Sequence, residues 1–566
     1  MLSAELVNGR IRIDGIAYRD RDIVHQLPGY NYRGDITTVP ATWPVLKILL
    51  DMFDDRIDIG DMLRDWAWRE ANERIIPATE AHDWAMDPRN DAEGNEAHYP
   101  YQRTGVLFLL EATNGAALTD EMGTGKTAHA IELLEQDNHY PALVVCPKSA
   151  KNGWKREFAK WAPHRDVVSV DGTSQKRRQL LGEEHEVYLM TWESLRIHSR
   201  LAPYGSVRLT KEEKTPKELN RHWGAVIADE AHRGIDPKAK QTRALWAIGS
   251  DADYRLALTG TPIANSPADF WSLLHFVAPD EWPSRTKYIE RYCLQMFNAA
   301  GYLDVTGLQA NHAEEFHTLV KPRHLRRPKE LVLPWLPEKV YETIDVEMSR
   351  PQAKAYNELK KSLIADVQGG VVMTLDPLSL LTRLTQAACA TLTMDENGKV
   401  VLSTPSSKID ALVELLHDLG DAPLVVYAKS AQLIELAAAR LDKEKITFSK
   451  IIGGQSEIVR MNEENAFYDG ESRVILLTLG AGSESLNLTR ANTTCFMERS
   501  WSMVQNVQAE NRTDRPGQEA DKVLIIDMVA PGTVEEAQWQ TLQGKSGMME
   551  EITHDREAML RAIRGK

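Results

Sequence analysis

The sequence TDEMGTGKT, residues 119–127, decides how the rest of the chain is interpreted. It follows the apolar run GAAL at residues 115–118, which predicts a buried strand, and it precedes the aliphatic run 128–134, which predicts a helix. A strand, a loop containing glycines and a helix, in that order, form the context that a phosphate-binding loop needs. The stretch therefore predicts a nucleotide site at the end of a strand.

The residue types in this loop suit the binding of phosphate. Its glycines present backbone N–H groups without a side chain in the way, and the following helix points its positive end at the phosphates. Lys126 supplies a compact positive charge for the outer phosphates, and the hydroxyl of Thr127 can hold Mg²⁺. Asp120 stands where the general pattern has glycine, so the loop by itself leaves a chance match open.

Length and composition limit the possible classes of protein. The chain has 566 residues, which predicts about three to four domains. It contains no apolar run of membrane-spanning length and begins without a charged and apolar leader, so we expect a soluble, unsecreted protein with no membrane association. A bacterial or phage-infected host cytoplasm is a separate hypothesis, with a nuclear location left open. The four cysteines are widely separated, which predicts neither a disulfide framework nor a metal site.

The net charge of −15 at pH 7 does not suggest a nucleic-acid-binding protein, so any polyanion must contact locally basic surfaces. Three basic runs are candidates: residues 148–160, residues 176–178 and the sequence KPRHLRRPK at residues 321–329. Runs of charge usually form solvated faces, and that interpretation stays open for each of them.

An acidic pair follows the apolar strand WGAVIA at residues 223–228. In doubly wound folds an acidic pair at the carboxyl end of a core strand lies beside the phosphate loop. Asp229 can hold Mg²⁺, and Glu230 can orient and deprotonate the attacking water. The sequence LTGTP at residues 258–262 ends the next predicted strand, where its hydroxyls can sense the γ-phosphate or simply form a turn.

The pattern of apolar runs divides the chain into five parts. Residues 1–95 predict a small α+β module, and residues 96–265 and 406–545 alternate strand and helix, which predicts two parallel-sheet α/β lobes. Residues 266–405 are rich in helix formers, lack a comparable series of strands and predict helical insertions and a linker between the lobes. Residues 546–566 predict a helical tail, within a helical stretch from Val534 to Ile563.

With these residues in place, most of the chain resembles the superfamily-two helicases, and among them the Swi/Snf-type translocases. DEMG before GKT is similar to motif I of that family, which accounts for Asp120, and PYQ at residues 100–102 is similar to the adenine-contacting Q motif. The sequence QAENRTDRPGQ at residues 508–518 resembles motif VI, in which two arginines three positions apart could reach a transferring phosphoryl group. The resemblance implies two RecA-like lobes.

The resemblance also implies roles for particular residues. The residues implied to act in catalysis are Lys126, Asp229, Glu230, Gln508, Arg512 and Arg515. Those implied to bind the nucleotide are Gln102, Gly123, Thr124, Gly125, Lys126 and Thr127, with Thr127 and Asp229 holding the metal. Those implied to contact DNA are Lys148, Trp154, Lys155, Thr191, Arg326, Lys429, Thr478 and Trp501. The second lobe departs from the family pattern at Ser483-Glu484-Ser485 and at Glu498-Arg499.

The function implied is a motor that uses ATP and Mg²⁺ to move along double-stranded or branched DNA, with a monomer favoured. Residues 1–95 weakly resemble the HARP-like module of annealing helicases, which implies recognition of branched DNA, although a packing role is equally open. The alternatives are a strand-separating helicase of DNA or RNA, a motor whose substrate is a protein bound to DNA, and a catalytically silent binding platform. A strand-separating helicase needs a pin, for which the sequence gives no sign.

Overall fold

The computed structural model describes residues 2–33, 36–77, 100–263, 266–297, 303–333, 336–368, 370–374, 377–482, 486, 488–515 and 518–539. Within these residues the chain divides into two compact units, with the boundary between Val332 and Leu333. Each unit is built around its own parallel sheet. No helix among the described residues has both the length and the apolar character needed to cross a membrane.

The first unit begins with a small α+β module, as predicted. Its strands are Leu2–Val7 (β1), Arg10–Asp14 (β2), Asn31–Arg33 (β3), Ile36–Pro40 (β4) and Ile57–Ile59 (β5), in the order β3-β4-β2-β1-β5. Its helices are Arg21–His25, Trp43–Phe53 and Asp61–Glu70, the last continued by a π-helical turn at Ala71–Ile75. The helix predicted from Trp43 to Phe53 is confirmed, and its apolar face buries Leu46, Leu49 and Phe53 against the sheet.

The first lobe follows this module. Its strands are Gly115–Leu118 (β6), Ala142–Cys146 (β7), Val167–Ser169 (β8), Val187–Thr191 (β9), Trp223–Asp229 (β10) and Ala252–Leu258 (β11). Its helices are Pro100–Glu111, Lys126–Gln136, Lys151–Trp161, Ser174–Gly182, Trp192–His198, Lys211–Lys214 and Lys240–Gly249. Every strand that the sequence predicts in this lobe is present, because continuous aliphatic runs are typical of strands buried on both faces.

The rest of the first unit completes this sheet and adds a separate ribbon. The helices are Ala268–Val277, Arg285–Tyr292, Ala313–Val320 and Lys329–Val332, and the strands are Cys293–Phe297 (β12), Leu303–Leu308 (β13) and His324–Leu325 (β14). Strands β12 and β13 pair only with each other, whereas β14 joins the main sheet, whose order is β14-β6-β11-β10-β7-β9-β8.

The register of this sheet places three sequence motifs side by side. Leu118 pairs with Leu258, and Leu258 pairs with Asp229, so β6, β11 and β10 end at the same level. All three strands are parallel, so the segments that follow them leave from the same edge of the sheet. The phosphate loop, the TGTP segment and the acidic pair are therefore neighbours.

The second unit contains the other lobe. Its strands are Glu338–Asp345 (β15), Ile364–Val367 (β16), Gly370–Met373 (β17), Thr391–Met394 (β18), Val400–Ser403 (β19), Leu424–Ala428 (β20), Phe448–Ile451 (β21), Val474–Thr478 (β22), Thr493–Phe496 (β23) and Lys522–Val529 (β24). Its helices are Arg350–Ser362, Pro377–Cys389, Ser407–Asp418, Ala431–Lys443, Glu457–Tyr468, Leu479–Gly482 and Met503–Glu510. The main sheet has the order β15-β24-β23-β20-β22-β21 with every neighbouring pair parallel, which confirms the second parallel-sheet lobe.

The expectation that residues 266–405 lack a series of strands is wrong. The segment contains β12 to β19: β14 and β15 extend the two main sheets, and the others form two-stranded ribbons. Strand β14 has only two residues, and the edge strand β15 and the ribbon strands keep partly exposed residues, so they lack the long run of buried aliphatic residues on which the prediction depended. Residues 534–539 are helical as predicted, whereas the tail 546–566 lies outside the described residues.

Candidate nucleotide site and its supporting contacts

The phosphate loop joins the end of β6 to the helix Lys126–Gln136, as the sequence predicts. Gly125 has φ +75°, and a Cβ atom there would lie 2.4 Å from Nε2 of Gln102, so glycine is required for both conformation and space. Gln102 Nε2 donates to the carbonyl of Thr124 at 3.2 Å, and the hydroxyl of Tyr101 donates to the same carbonyl at 2.7 Å. The structure thus brings the predicted Gln102 against the loop and adds Tyr101 of the same PYQ motif, which was not among the predicted nucleotide-binding residues.

Lys126 lies at the centre of the loop. Its Nζ donates to the carbonyls of Asp120 at 2.7 Å and Glu121 at 2.9 Å. Burial lowers the pKa of Lys126, and the nearby charges of Glu230, Asp120 and Asp229 oppose that change. The ammonium group is therefore close to all three carboxylates, and a phosphate would compete with the loop carbonyls for its protons.

Asp229 is held by two hydrogen bonds at the end of β10. Its Oδ2 accepts from Nε1 of Trp154 at 2.9 Å, and its Oδ1 accepts from the backbone N–H of Glu230 at 3.0 Å. Burial, and then the charge of Glu230, raise the pKa of Asp229 to about 6. A divalent cation would relieve this repulsion, and carboxylate and hydroxyl oxygens are the ligands that Mg²⁺ accepts, so Asp229 and Thr127 fit the proposed metal.

Glu230 has a strained backbone, with φ 50° and ψ 50°, in the left-handed region that few residues other than glycine adopt. His232 Nδ1 lies 3.3 Å from Oε2 of Glu230 and 3.1 Å from Oγ1 of Thr259, so it connects the acid to the TGTP segment. Thr259 Oγ1 also accepts from the backbone N–H of Thr261 at 3.1 Å. The strain and the histidine together fix the direction of the Glu230 carboxylate.

Two residues predicted to contact DNA are buried. Trp154 is 2% exposed and donates to Asp229, as described above. The side chain of Arg326 is 1% exposed, and its Nη1 donates to the carbonyls of Thr119 at 2.7 Å and Gly260 at 3.1 Å. We therefore correct both assignments: these side chains stabilise the nucleotide site, since the core covers them.

The basic run KPRHLRRPK is also largely internal. Arg323, Arg326, Arg327 and Lys329 are all buried, and their polar groups contact the protein itself. The run is therefore neither a solvated face nor a surface for DNA. The burial of this run could not be predicted from the sequence, because the residue type of an arginine does not show whether it pairs with a phosphate or with a buried carboxylate.

Other predicted DNA contacts of the first lobe lie at the same edge as the nucleotide site. Lys148 follows β7 and is exposed, Lys155 is exposed on the next helix, and Thr191 ends β9 opposite Cys146. Thr191 is half-buried, with its Oγ1 2.9 Å from Oγ of Ser194. Their position is compatible with a phosphate backbone, and their role stays a prediction.

In the second lobe, Lys429 is exposed directly after β20, and Thr478 ends β22 beside Ala428. Thr478 is nearly buried and Trp501 is half-buried. Whether these three contact DNA stays a prediction. The predicted departure at Ser483-Glu484-Ser485 lies outside the described residues.

The motif VI arginines lie close together after the helix Met503–Glu510. Arg515 Nε donates to the carbonyl of Asn511 at 3.0 Å. Burial, and then the charge of Arg512, lower the pKa of Arg515 to about 9. Two neighbouring guanidinium groups that disfavour each other's charge form an environment suited to an anion. Gln508, on the preceding helix, is nearly buried.

The unusual pair Glu498-Arg499 has a supporting role that the sequence did not indicate. Arg499 pairs with Asp527 on β24 and with Glu510, the last residue of the motif VI helix, and it stacks on Phe496 with 4.0 Å to the ring centroid. Oε2 of Glu498 accepts from the backbone N–H of Ser430 at 2.9 Å. The pair therefore fixes the helix that precedes Arg512.

Two families match the chain. The SNF2-related domain matches residues 101–392, and the helicase conserved C-terminal domain matches residues 407–517. The chain is 27% identical over 477 residues to the DNA annealing helicase and endonuclease ZRANB3 of Bos taurus, covering 82% of this chain and 41% of that protein. It is 26% identical over 487 residues to the CHD3-type chromatin-remodeling factor PICKLE of Arabidopsis thaliana, covering 79% of this chain and 34% of that protein.

Among solved structures, the Sulfolobus solfataricus SWI2/SNF2 ATPase core in complex with dsDNA matches with 23% identity and a TM-score of 0.39. That match covers 83% of this chain and 96% of the other. The chain spans less than half the length of the two curated relatives named above.

Proposed function

Because the chain belongs to the SNF2-related family of helicase-type ATPases, we propose that it is a motor that uses ATP hydrolysis to move along double-stranded or branched DNA. The observation that carries the proposal is the common level at which Leu118, Leu258 and Asp229 end their strands, which brings the phosphate loop and the acidic pair together. We place hydrolysis at this edge of the first lobe.

In the proposed reaction the loop N–H groups and Lys126 hold the phosphates of ATP, and Gln102 contributes to nucleotide binding at the loop. Glu230 accepts a proton from the attacking water, for which its fixed orientation is suited. Thr127 and Asp229 would hold Mg²⁺, which when bound neutralises charge on the phosphate oxygens. Arg512 and Arg515, with Gln508, are proposed to stabilise charge on the transferring phosphoryl group.

The DNA contacts are proposed from groups at or shortly after the carboxyl ends of strands, of which Lys148, Lys155 and Lys429 are exposed. Lys148, Lys155 and Thr191 in the first lobe, with Lys429, Thr478 and Trp501 in the second, are the candidates. A protein of net charge −15 must concentrate its attraction in a few such groups, and contacts to phosphate carry little sequence information. Binding should therefore be weakly sequence-dependent, and log K should fall with log salt by about 0.9 for each phosphate neutralised.

One observation favours strand separation as a second candidate function. Among the described residues the ribbon β12–β13 pairs with no other strand, and Phe297 near its described end is 77% exposed. A separate ribbon with an exposed aromatic side chain would suit a strand-separating pin, for which the sequence alone gave no sign. Apolar and aromatic side chains of this kind can part stacked bases.

We propose that the N-terminal module either recognises branched DNA or serves as a packing element. The buried pair of Arg74 with Glu281 of the lobe, at 3.1 Å, is compatible with both roles. We also propose that the protein acts as a monomer on free or protein-bound DNA. An intracellular location is proposed because ATP and DNA occur together inside cells.

The experiment is phosphate release measured at fixed salt with blunt duplex, forked duplex, single-stranded DNA and RNA. We expect duplex or forked DNA to stimulate hydrolysis at lower concentration than single strands, without separation of a plain duplex. If single strands saturate the stimulation first and plain duplexes separate, the helicase replaces the translocase. Charge reversal of Lys148 and Lys155 together should weaken stimulation, whereas reversal of the exposed Lys211 and Lys214 is the matched control.

A further inference from the structure

Two consecutive arginines, Arg326 and Arg327, reach different parts of the nucleotide site. Asp120, which replaces the glycine of the general loop pattern, is fully buried and accepts four side-chain and backbone hydrogen bonds from Arg327 alone. The backbone N–H of Arg327 donates to Oδ1 at 2.9 Å, and its Nε donates to Oδ1 at 3.1 Å. The aspartate therefore anchors the first half of the phosphate loop.

Arg327 also reaches the far end of the loop. Its Nη1 donates to the carbonyl of Tyr101 at 2.6 Å, and the Tyr101 hydroxyl in turn donates to the carbonyl of Thr124. A Cβ atom on Gly105 would lie 2.5 Å from Cδ2 of His129 and 2.8 Å from Nη2 of Arg327, so the helix that carries Tyr101 keeps a glycine where the imidazole and the guanidinium pass. Both ends of the loop are thus held by one side chain.

Arg326 joins the start of the loop to the segment beside the hydrolytic acid, because its Nη1 donates to the carbonyls of Thr119 at 2.7 Å and Gly260 at 3.1 Å. Its hydrogen bond to Gly260 fixes the segment that follows β11, and the adjacent Thr259 contacts His232, which lies beside Glu230. A change in the Gly260 segment would therefore alter the direction of the Glu230 carboxylate. The same change would leave the contacts between Asp120 and Arg327 in place.

The charges make these contacts costly to break. Burial raises the pKa of Asp120, but the charge and hydrogen bonds of Arg327 outweigh burial and hold the pKa below its usual value. Removing either partner leaves an uncompensated charge in the interior. The loop can relax only by moving Asp120, and the carbonyl of Asp120 is one of the two that hold Lys126.

We propose that Arg327 and Arg326 are positioning residues with separate effects on the reaction: Arg327, through Asp120 and Tyr101, orders the phosphate loop for binding ATP, whereas Arg326, through Gly260 and His232, orders Glu230 for hydrolysis. This inference rests on the proposed ATPase function. An interaction present in both ground and transition states changes KM, and one that matters only in the transition state changes kcat. Substitution of Arg327 should therefore alter mainly KM, whereas substitution of Arg326 should alter mainly kcat.

The test is steady-state ATP hydrolysis with saturating duplex DNA, together with calorimetric titration of ATP. Arg327→Gln and Asp120→Asn should each raise KM about ten-fold or more with a smaller change in kcat, and the double variant should be little worse than either single one. Gly105→Ala should raise KM in the same direction, although alanine favours helices. Arg326→Gln should lower kcat about ten-fold or more, with a smaller rise in KM from the lost hydrogen bond to Thr119.

Arg323→Gln is the matched control, because Arg323 is an equally buried arginine of the same run that contacts Glu281, Ala112 and Gly115. It should lower thermal stability while leaving KM and kcat of the folded protein unchanged. If Arg326→Gln fails to fold, Arg326→Lys replaces it and should lower kcat less.

Equal changes in KM and kcat for both arginine positions, or additive effects at Asp120 and Arg327, would overturn the inference. The ATPase activity on which the inference rests fails separately, since its failure would appear as absence of ATP hydrolysis by the wild-type protein.

Discussion

Nε1 of Trp154 donates a hydrogen bond of 2.9 Å to Oδ2 of Asp229. The indole comes from the helix after β7 and the carboxylate from the end of β10, so the bond joins two neighbouring strand ends. It stabilises the ionised form of a carboxylate whose pKa burial and Glu230 raise. A residue first assigned to DNA therefore acts on the proposed metal ligand.

Replacing Trp154 by phenylalanine should weaken hydrolysis, because phenylalanine keeps an aromatic side chain in the core but is smaller than the indole and lacks the N–H donor to Asp229. The pKa of Asp229 should rise above about 6, so the fall in kcat on the acid side should move to higher pH. Loss of a hydrogen bond to a metal ligand typically costs about 10–100-fold in metal affinity or activity. The measurement is kcat against pH and Mg²⁺ concentration.

The control for that variant is Trp161→Phe on the same helix, whose Nε1 donates to Glu157 at 2.9 Å. It should leave the pH profile in place. An unchanged acid limb in Trp154→Phe would contradict the role given to the indole.

Asp229→Asn should abolish hydrolysis yet stabilise the protein in the absence of nucleotide and metal. The folded-state pKa is raised, so the ionised carboxylate destabilises the fold above about pH 6, by an amount of order 1 kcal/mol. As pH falls through about 6 the wild-type group takes up a proton and the difference should shrink. Thermal unfolding of both proteins at pH 5 and pH 8 checks this, and an Asn variant less stable at pH 8 would argue against it.

Glu230→Gln should bind ATP but hydrolyse it about 10²–10⁴ times more slowly, because an amide cannot accept the proton of water. The fold should survive, since glutamine has the same shape. Equilibrium binding of ATP and single-turnover hydrolysis separate the two effects. Glu132→Gln, on the helix after the loop and bonded to Gln136, is the control. Wild-type turnover by folded Glu230→Gln would remove Glu230 from the mechanism.

Glu281→Gln should destabilise the first unit. Oε1 of Glu281 accepts from Arg323 at 2.7 Å and lies 3.1 Å from Arg74, so the amide would remove the carboxylate that buried Arg323 pairs with, while Arg74 would keep Glu70. The expected loss is about 3 kcal/mol near neutral pH. Burial raises the pKa of Glu281, but the two arginines outweigh it and hold the pKa low, so this stability is present above the unfolded pKa and is lost on acidification.

Thermal unfolding across pH measures that loss, with the adjacent exposed Asp280→Asn as the control. A chain beginning at Asp91 lacks Arg74 and should also be less stable, while still hydrolysing ATP. If Glu281→Gln unfolds at the wild-type temperature near neutral pH, the buried pair contributes little.

Arg515→Gln should lose DNA-stimulated turnover by about 10³-fold or more while keeping its affinity for ATP within a few-fold. It should also relieve the repulsion from Arg512, which with burial lowers the pKa of Arg515 to about 9. Arg490→Gln is the control, because Arg490 is an arginine of the same unit that donates to the carbonyls of Phe467 and Ser472. Equal turnover by both variants would exclude the proposed role.

Prediction from the sequence was most accurate where the residues that determine a structure are neighbours in the chain. The strands of both main sheets that the sequence predicts are present, because a parallel strand covered on both faces needs an unbroken aliphatic run. It failed for β12 to β19, whose edge and ribbon positions need no such run.

By itself, the sequence determined the phosphate loop, the acidic pair and the two parallel-sheet lobes, since glycine positions, charged pairs and apolar runs act over a few residues. Only the tertiary structure decided that Trp154 and Arg326 lie in the interior and that Asp120 pairs with Arg327, 207 positions along the chain. A side chain's partner depends on which strands become neighbours in the sheet. The packing of the whole lobe determines which strands are neighbours, and this cannot be deduced from the residue type alone.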